Sequence, residues 1–113
     1  MTQTATIAIS EKFQNAEQLW FWFLYSKSIR YNFSKTRACA TRRPCEVLDV
    51  ETLITKLYLA GKLTDNQLMV MKKYGDRRRA PHQHIWNENR DAQKWNEAMD
   101  VLAGAAKQRG WIE

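Results

Sequence analysis

The stretch DVETLITKLYLAGKLTDNQLMVMKKYG, residues 49–75, reads as two short helices joined by a tight turn, and it decides the fold class. Asp49 is a good N-cap, and Val50, Leu53, Ile54, Leu57 and Tyr58 recur at helical spacing, which predicts a helix over 50–60 with one apolar stripe facing a core. Gly61 stops it, because the residue just past a helix end often takes positive φ, which glycine adopts without a Cβ clash. Thr64 and Gln67 form the capping-box pattern T-x-x-Q and open a second helix over 65–74. Leu68, Met71 and either Val70 or Tyr74 supply its inner face, and Gly75 ends it. Helix, glycine turn, helix is the layout of a DNA-binding helix-turn-helix and equally that of any αα-hairpin in a small bundle. Two positions depart from the repressor-type pattern. Leu57 stands four residues before Gly61, where close packing favours a small side chain, and Gln67 falls on a position that is commonly apolar.

On the N-terminal side of this pair, residues 1–14 read as a flexible arm; TATIAI has strand character but no strand-like run to pair with. Asn15 offers a cap, with Gln18 three residues on, for a helix over 16–31. Its centre, LWFWFLY, is apolar all round, so this helix is either central to its bundle or covered by a second copy, which makes it the candidate surface of a homodimer. Residues 33–46 read as a basic loop closed by Pro44. On the C-terminal side, YGDRRRAPHQHIW is a basic turn, and Ala92, Trp95, Ala98, Met99, Leu102, Ala105 and Ala106 mark one face of a long helix over 87–109 that Gly110 stops. The expected architecture is all-α, about four helices (16–31, 50–60, 65–74, 87–109), with residues 15–113 forming one domain.

The net charge of +6 over 113 residues favours anionic partners, and its distribution says more than its total. Residues 26–45 hold Lys27, Arg30, Lys35, Arg37, Arg42 and Arg43 with no acid. Residues 62–79 hold Lys62, Lys72, Lys73, Arg77, Arg78 and Arg79 against Asp65 and Asp76, and the remaining parts of the chain are slightly acidic. The excess therefore flanks the first helix of the central pair and runs through the second. Whether the two basic segments meet in space is not a property of the sequence.

Enzyme chemistry has little to stand on. There is no nucleophile set, phosphate-binding glycine loop or pair of carboxylates in a recognisable motif, and Asp76, His82 and His84 make only a loose nuclease-like cluster. Cys39 and Cys45, spaced C-x5-C, with His82 and His84, spaced H-x-H, depart from zinc-finger spacing, so no metal or cofactor is assigned. The neighbouring arginines would lower a thiol pKa if they faced it. Nothing at the start resembles a secretory signal, and the apolar run of residues 19–25 is too short for a membrane span, so a cytoplasmic protein with reduced thiols is expected.

The segments QLWFWF, RRPCEVLDVETL, LTDNQLMVMKKYGDRRRAP, E-x2-DAQKWNEAMDVL and the ending RGWIE resemble a group of small, largely uncharacterised proteins of alphaproteobacteria, over residues 17–113. LTDNQLMVMKKYG is also similar to the leading helix of sigma-factor region 4 and of response-regulator DNA-binding domains, although the second helix-turn-helix expected there is missing. The resemblance implies a bacterial setting and assigns no residue a role.

The function read from the sequence is a small basic DNA-binding protein of helix-turn-helix type, a transcriptional regulator or nucleoid-associated factor whose partner is double-stranded DNA. Asn66, Gln67 and Lys73 are the candidate base readers, since amides suit adenine and lysine suits guanine. Arg42, Arg43, Lys72, Arg77, Arg78 and Arg79 are the candidate phosphate contacts. A variant of this reading has Trp20, Trp22 and Tyr25 stacking on unpaired bases. The alternative is an adaptor that binds an acidic protein through the same basic patch. No small-molecule substrate is evident.

Overall fold

The computed structural model describes residues 11–32 and 43–113. Among them the chain forms four helices and no multi-strand sheet: α1 (Ala16–Asn32), α2 (Val47–Leu59), α3 (Asp65–Arg77) and α4 (Asn89–Gln108). The all-α architecture with a central helix pair is the one the sequence predicts. Residues 1–10, Cys39 and Arg42 lie outside the described residues.

Local rules place most helix starts. The Gln18 amide donates to Asn15 Oδ1 at 2.8 Å, opening α1. At α3 the Gln67 amide donates to Thr64 Oγ1 (3.1 Å) while the Thr64 amide donates to Gln67 Oε1 (3.0 Å), the reciprocal box read from T-x-x-Q. α2 begins earlier than predicted, at Val47. Asp49 is not the cap but lies inside the first turn, where its Oδ2 accepts from the Glu46 amide at 2.9 Å.

The core explains why α1 is apolar all round. α1 is the one helix that packs against each of the other three, while α3 packs most extensively on α4 and α2 only grazes α3. Trp20 and Leu24 meet α3 at Gly75, and Phe21 stacks on Trp95 of α4 with ring centroids 5.7 Å apart. Trp22 packs on Phe13 at 5.1 Å. Within one chain α1 thus buries Leu19, Trp20 and Phe23 and leaves Phe21, Trp22 and Leu24 partly covered. Trp95 is the central side chain: Phe21 lies against one side, the Tyr74 ring meets it edge-on at 6.3 Å, and its indole N–H donates to Glu17 Oε2 at 2.8 Å.

The N-terminal arm is shorter than expected. Phe13 is fully buried and forms a single parallel bridge with Ile112, its amide donating to the Trp111 carbonyl (2.9 Å) and its carbonyl accepting from the Glu113 amide (3.0 Å). The bridging partner is the short C-terminal tail, whose pairing no periodicity in the sequence foretells.

Gly75 does not end α3. It lies inside the helix, where an added Cβ would stand 2.2 Å from Leu24 Cδ1 and 2.9 Å from Trp20 Nε1. That missing Cβ lets the Trp20 indole N–H reach over α3 and donate to the Met71 carbonyl at 2.9 Å, a buried hydrogen bond between helices. The glycine serves close approach, and the helix runs on to Arg77.

Gly75→Ala should therefore destabilise the protein although alanine is the better helix former by about 1 kcal/mol. Leu24 is half-buried and can swing aside, but Trp20 is buried and cannot retreat without losing its hydrogen bond; overpacking of this kind costs about 1–3 kcal/mol. Gly104, inside α4 with nothing within 4 Å of an added Cβ, is the control. Gly104→Ala should stabilise by about 0.5–1 kcal/mol. Thermal or urea denaturation of the two variants would contradict this account if both moved stability in the same direction.

Candidate nucleic-acid interface

Two of the glycines at helix ends show what α3 lacks. α2 closes at Gly61 and α4 at Gly110, each with φ of +79°, and in both cases the next amide donates back five residues, from Lys62 to Leu57 and from Trp111 to Ala106. α3 closes with the same pair of bonds, Arg78 to the Gly75 carbonyl and Arg79 to the Tyr74 carbonyl, but the left-handed position is held by Arg78, at φ 60°. A side chain there costs about 1 kcal/mol relative to glycine. Arg78 is the one non-glycine residue with positive φ among those described, and it stands within the basic run singled out in the sequence.

The arginines of that run differ in how they are held. Arg79 pairs with Glu88, donating from Nη1 at 3.2 Å and from Nη2 at 2.6 Å. Arg77 lies over the Tyr74 ring at 5.3 Å and Arg78 over the Tyr25 ring at 5.0 Å, and among the described residues neither makes an ion pair with a carboxylate. A guanidinium stacked on a ring keeps its N–H edge and its charge available to an oxyanion. The lysines are paired: Lys72 with Asp76 at 3.4 Å, on an exposed face, and Lys73 with Asp91 at 3.0 Å. Asp91 also accepts from the Tyr74 hydroxyl at 2.8 Å. Burial alone would raise the Asp91 carboxyl, but the hydrogen bonds from Tyr74 and Lys73 together outweigh it and hold it below the usual range, and Lys73 is raised by the same pairing.

Arg43 joins the same side of α1 through a run of rings. It stacks on Phe13 at 4.5 Å and donates to the Glu11 carbonyl at 3.2 Å; Phe13 packs on Trp22, and Tyr25, one turn further along α1, carries Arg78. One described residue from each basic segment, Arg43 and Arg78, is thus linked to an aromatic of α1. Trp20 is buried and Trp22 half-buried against Phe13, so of the three aromatics considered for base stacking only Tyr25 is exposed, and Arg78 lies over it.

The candidate base readers fare differently from the phosphate contacts. Gln67 is engaged on both sides, its backbone and side chain in the Thr64 box and its Nε2 with Glu97 of α4 at 3.2 Å. Lys73 is held by Asp91, and Asn66 is exposed at the start of α3. Arg79 is a structural clamp rather than a free contact.

The remaining chemistry is quiet. Burial, and then Asp49, push the Cys45 thiol up to about 12 against a smaller pull from Arg43, the opposite of arginine activation. His82 and His84 face each other at 5.5 Å, Asp76 pairs with Lys72, and no group of three or more metal-ligating side chains forms among the described residues. Nor is any described helix long and apolar enough to cross a membrane.

Sequence patterns singled out the arginines and histidines of the loop between α3 and α4 but not its Glu88 or Trp86. Glu88, buried at the entrance to α4, accepts from Arg79 and from the His82 amide (2.8 Å), and successive turns run from His82 to Ile85 and from Ile85 to Glu88. At the tip of the second turn Trp86 is 84 % exposed. Its signal in the sequence is a tryptophan placed where turn-forming residues are expected.

The chain matches no protein-family model, no curated protein and no solved structure, so its own residues carry what can be said of its chemistry.

The Arg79 guanidinium first, and then the His82 amide, hold the Glu88 carboxyl well below its ordinary 4.5, at about 2, against the opposing effect of burial. A depressed acid stabilises the fold fully above its unfolded pKa and loses that contribution as pH falls through its folded one. The clamp should therefore weaken between about pH 4.5 and pH 2. Glu88→Gln should be less stable at neutral pH and should lack this component of the acid transition followed by circular dichroism. Superimposable acid profiles for the two proteins would contradict the clamp.

Proposed function

We propose that this protein binds nucleic acid through backbone phosphates, using Arg43 and Arg78, each linked to an aromatic of α1, together with Arg77 at the end of α3, with Lys72 at the margin. The observation that carries the reading is the mode of holding: these arginines rest on aromatic rings and a carbonyl, and none of them forms an ion pair with a described carboxylate. The left-handed backbone at Arg78 adds to it, since local strain at a charged surface residue is a common mark of a functional position. A regulator that reads duplex sequence has weaker support. α2 and α3 are only loosely packed on each other, and of the proposed base readers only Asn66 is unencumbered. Backbone-directed binding, as in a nucleoid-type protein, fits the side chains better than base readout does.

Exposed Leu59 and Met69, on the α2–α3 pair, favour a second reading in which the chain is an adaptor for an acidic protein. The two readings separate on salt and on partner: phosphate binding releases counterions, so affinity for a random duplex falls steeply as salt rises.

Fluorescence anisotropy at roughly 50 and 200 mM salt is the test, with a random labelled duplex and its single strand. The triple variant Arg43→Ala, Arg77→Ala, Arg78→Ala should bind more weakly to every sequence, and the slope of log affinity against log salt should flatten by roughly 0.9 for each duplex phosphate no longer neutralised. Unchanged affinity in the triple variant would overturn the assignment. Arg78→Gly and Arg78→Ala should lose binding equally, whereas the glycine variant should be the more stable by about 1 kcal/mol, because it alone relieves the left-handed strain. Equal stabilities would mean that Arg78 is not strained.

A further inference from the structure

The loop that carries Trp86 has a construction that folding does not require. The Glu88 carboxylate holds its backbone at the His82 amide and also pairs with the Arg79 side chain, and the Ile85 carbonyl accepts from the Glu88 amide at 2.7 Å, which puts Trp86 at the first central position of a four-residue turn. Such positions are normally filled by glycine, proline, asparagine, aspartate or serine. Here a tryptophan stands with 84 % of its surface in water, beside half-exposed Ile85, in a chain whose other four tryptophans are buried or half-buried. A large aromatic on a pre-fixed loop needs little ordering to be used, so its binding energy is not lost to conformational entropy.

The surroundings say what it faces. From residue 77 to residue 87 there is no acid, and Glu88 is neutralised by Arg79, which joins this loop directly to the turn that presents Arg77 and Arg78. A ring on the same acid-free segment as guanidinium groups that no described carboxylate pairs with suits a ligand that offers both a flat π-face and a phosphate. Duplex DNA hides its base faces in the stack; an unpaired strand does not.

We infer that Trp86 is a stacking platform for an unpaired base, and that the preferred ligand of the basic surface is single-stranded nucleic acid or a duplex with an open base. This rests on the phosphate-binding reading above and deepens it: the arginines hold the backbone and Trp86 selects for the unpaired state. It also differs from the stacking expected in the sequence at Trp20 and Trp22, which the core absorbs.

The experiment titrates the full chain, wild type, Trp86→Ala and Trp86→Phe, into a labelled random-sequence single strand and into the corresponding duplex, at two salt concentrations. The expected result is a single-strand preference in the wild type that falls roughly 5- to 100-fold in Trp86→Ala and is largely kept in Trp86→Phe, with duplex affinity and salt slope unchanged. Because Trp86 is so exposed, circular dichroism should show the variants folded. If wild type and Trp86→Ala bind the single strand equally, the stacking role is overturned and phosphate binding stands. If the wild type binds neither nucleic acid at low salt, the phosphate reading falls and the inference falls with it. Trp86-dependent binding to a polyglutamate peptide as tight as to the single strand would overturn the inference in favour of an acidic protein partner.

Discussion

Gly75 has room for a hydrogen atom and nothing larger, and much of the structure follows from that. Its bare Cα lets α1 and α3 approach until the Trp20 indole hydrogen-bonds the Met71 carbonyl across the gap. α1 is thereby seated against α3, its remaining aromatic sides fall to Trp95 and Phe13, and a helix that would be too apolar alone becomes the axis of the bundle. The same glycine is then unavailable as a stop. α3 runs past it and closes on a left-handed residue three positions later, Arg78.

The electrostatics show a division of labour among cations of similar appearance. Arg79 and Lys73 are matched to Glu88 and Asp91, and those two carboxylates tie α3, the connecting loop and α4 into one unit. Arg43, Arg77 and Arg78 are matched to rings. Carboxylate pairing neutralises a charge; ring stacking orients it and leaves it active. Three consecutive arginines, alike in sequence, are therefore held in two ways: all three lie over rings, and Arg79 alone also pairs with a carboxylate.

The helix class, the Asn15 and Thr64 starts, the Gly61 and Gly110 stops and the buried face of α4 were legible because each is a local rule that relates residues three or four apart. Gly75 was misread because a glycine near a helix end has two meanings, and only Trp20, far away in sequence, decides between them. Gln67 was legible as a cap partner, while its bond to Glu97 depends on a helix thirty residues away. Asp49 looked like a cap because aspartate so often is one, yet it reaches back from inside the turn to Glu46. Trp86 escaped because a lone aromatic in a loop has no period, and its meaning depends on exposure.

The most direct test of the account is a two-dimensional NMR titration of the labelled chain with a short random-sequence single strand, observing backbone amides, arginine Nε–H and tryptophan indole N–H signals. The account predicts that Arg43, Arg77, Arg78 and Trp86 shift together in a saturable, salt-sensitive way while the Trp20 and Trp95 indoles stay in place. Shifts confined to the outer face of α4 or to Leu59 and Met69, with the arginines and Trp86 unmoved, would contradict it.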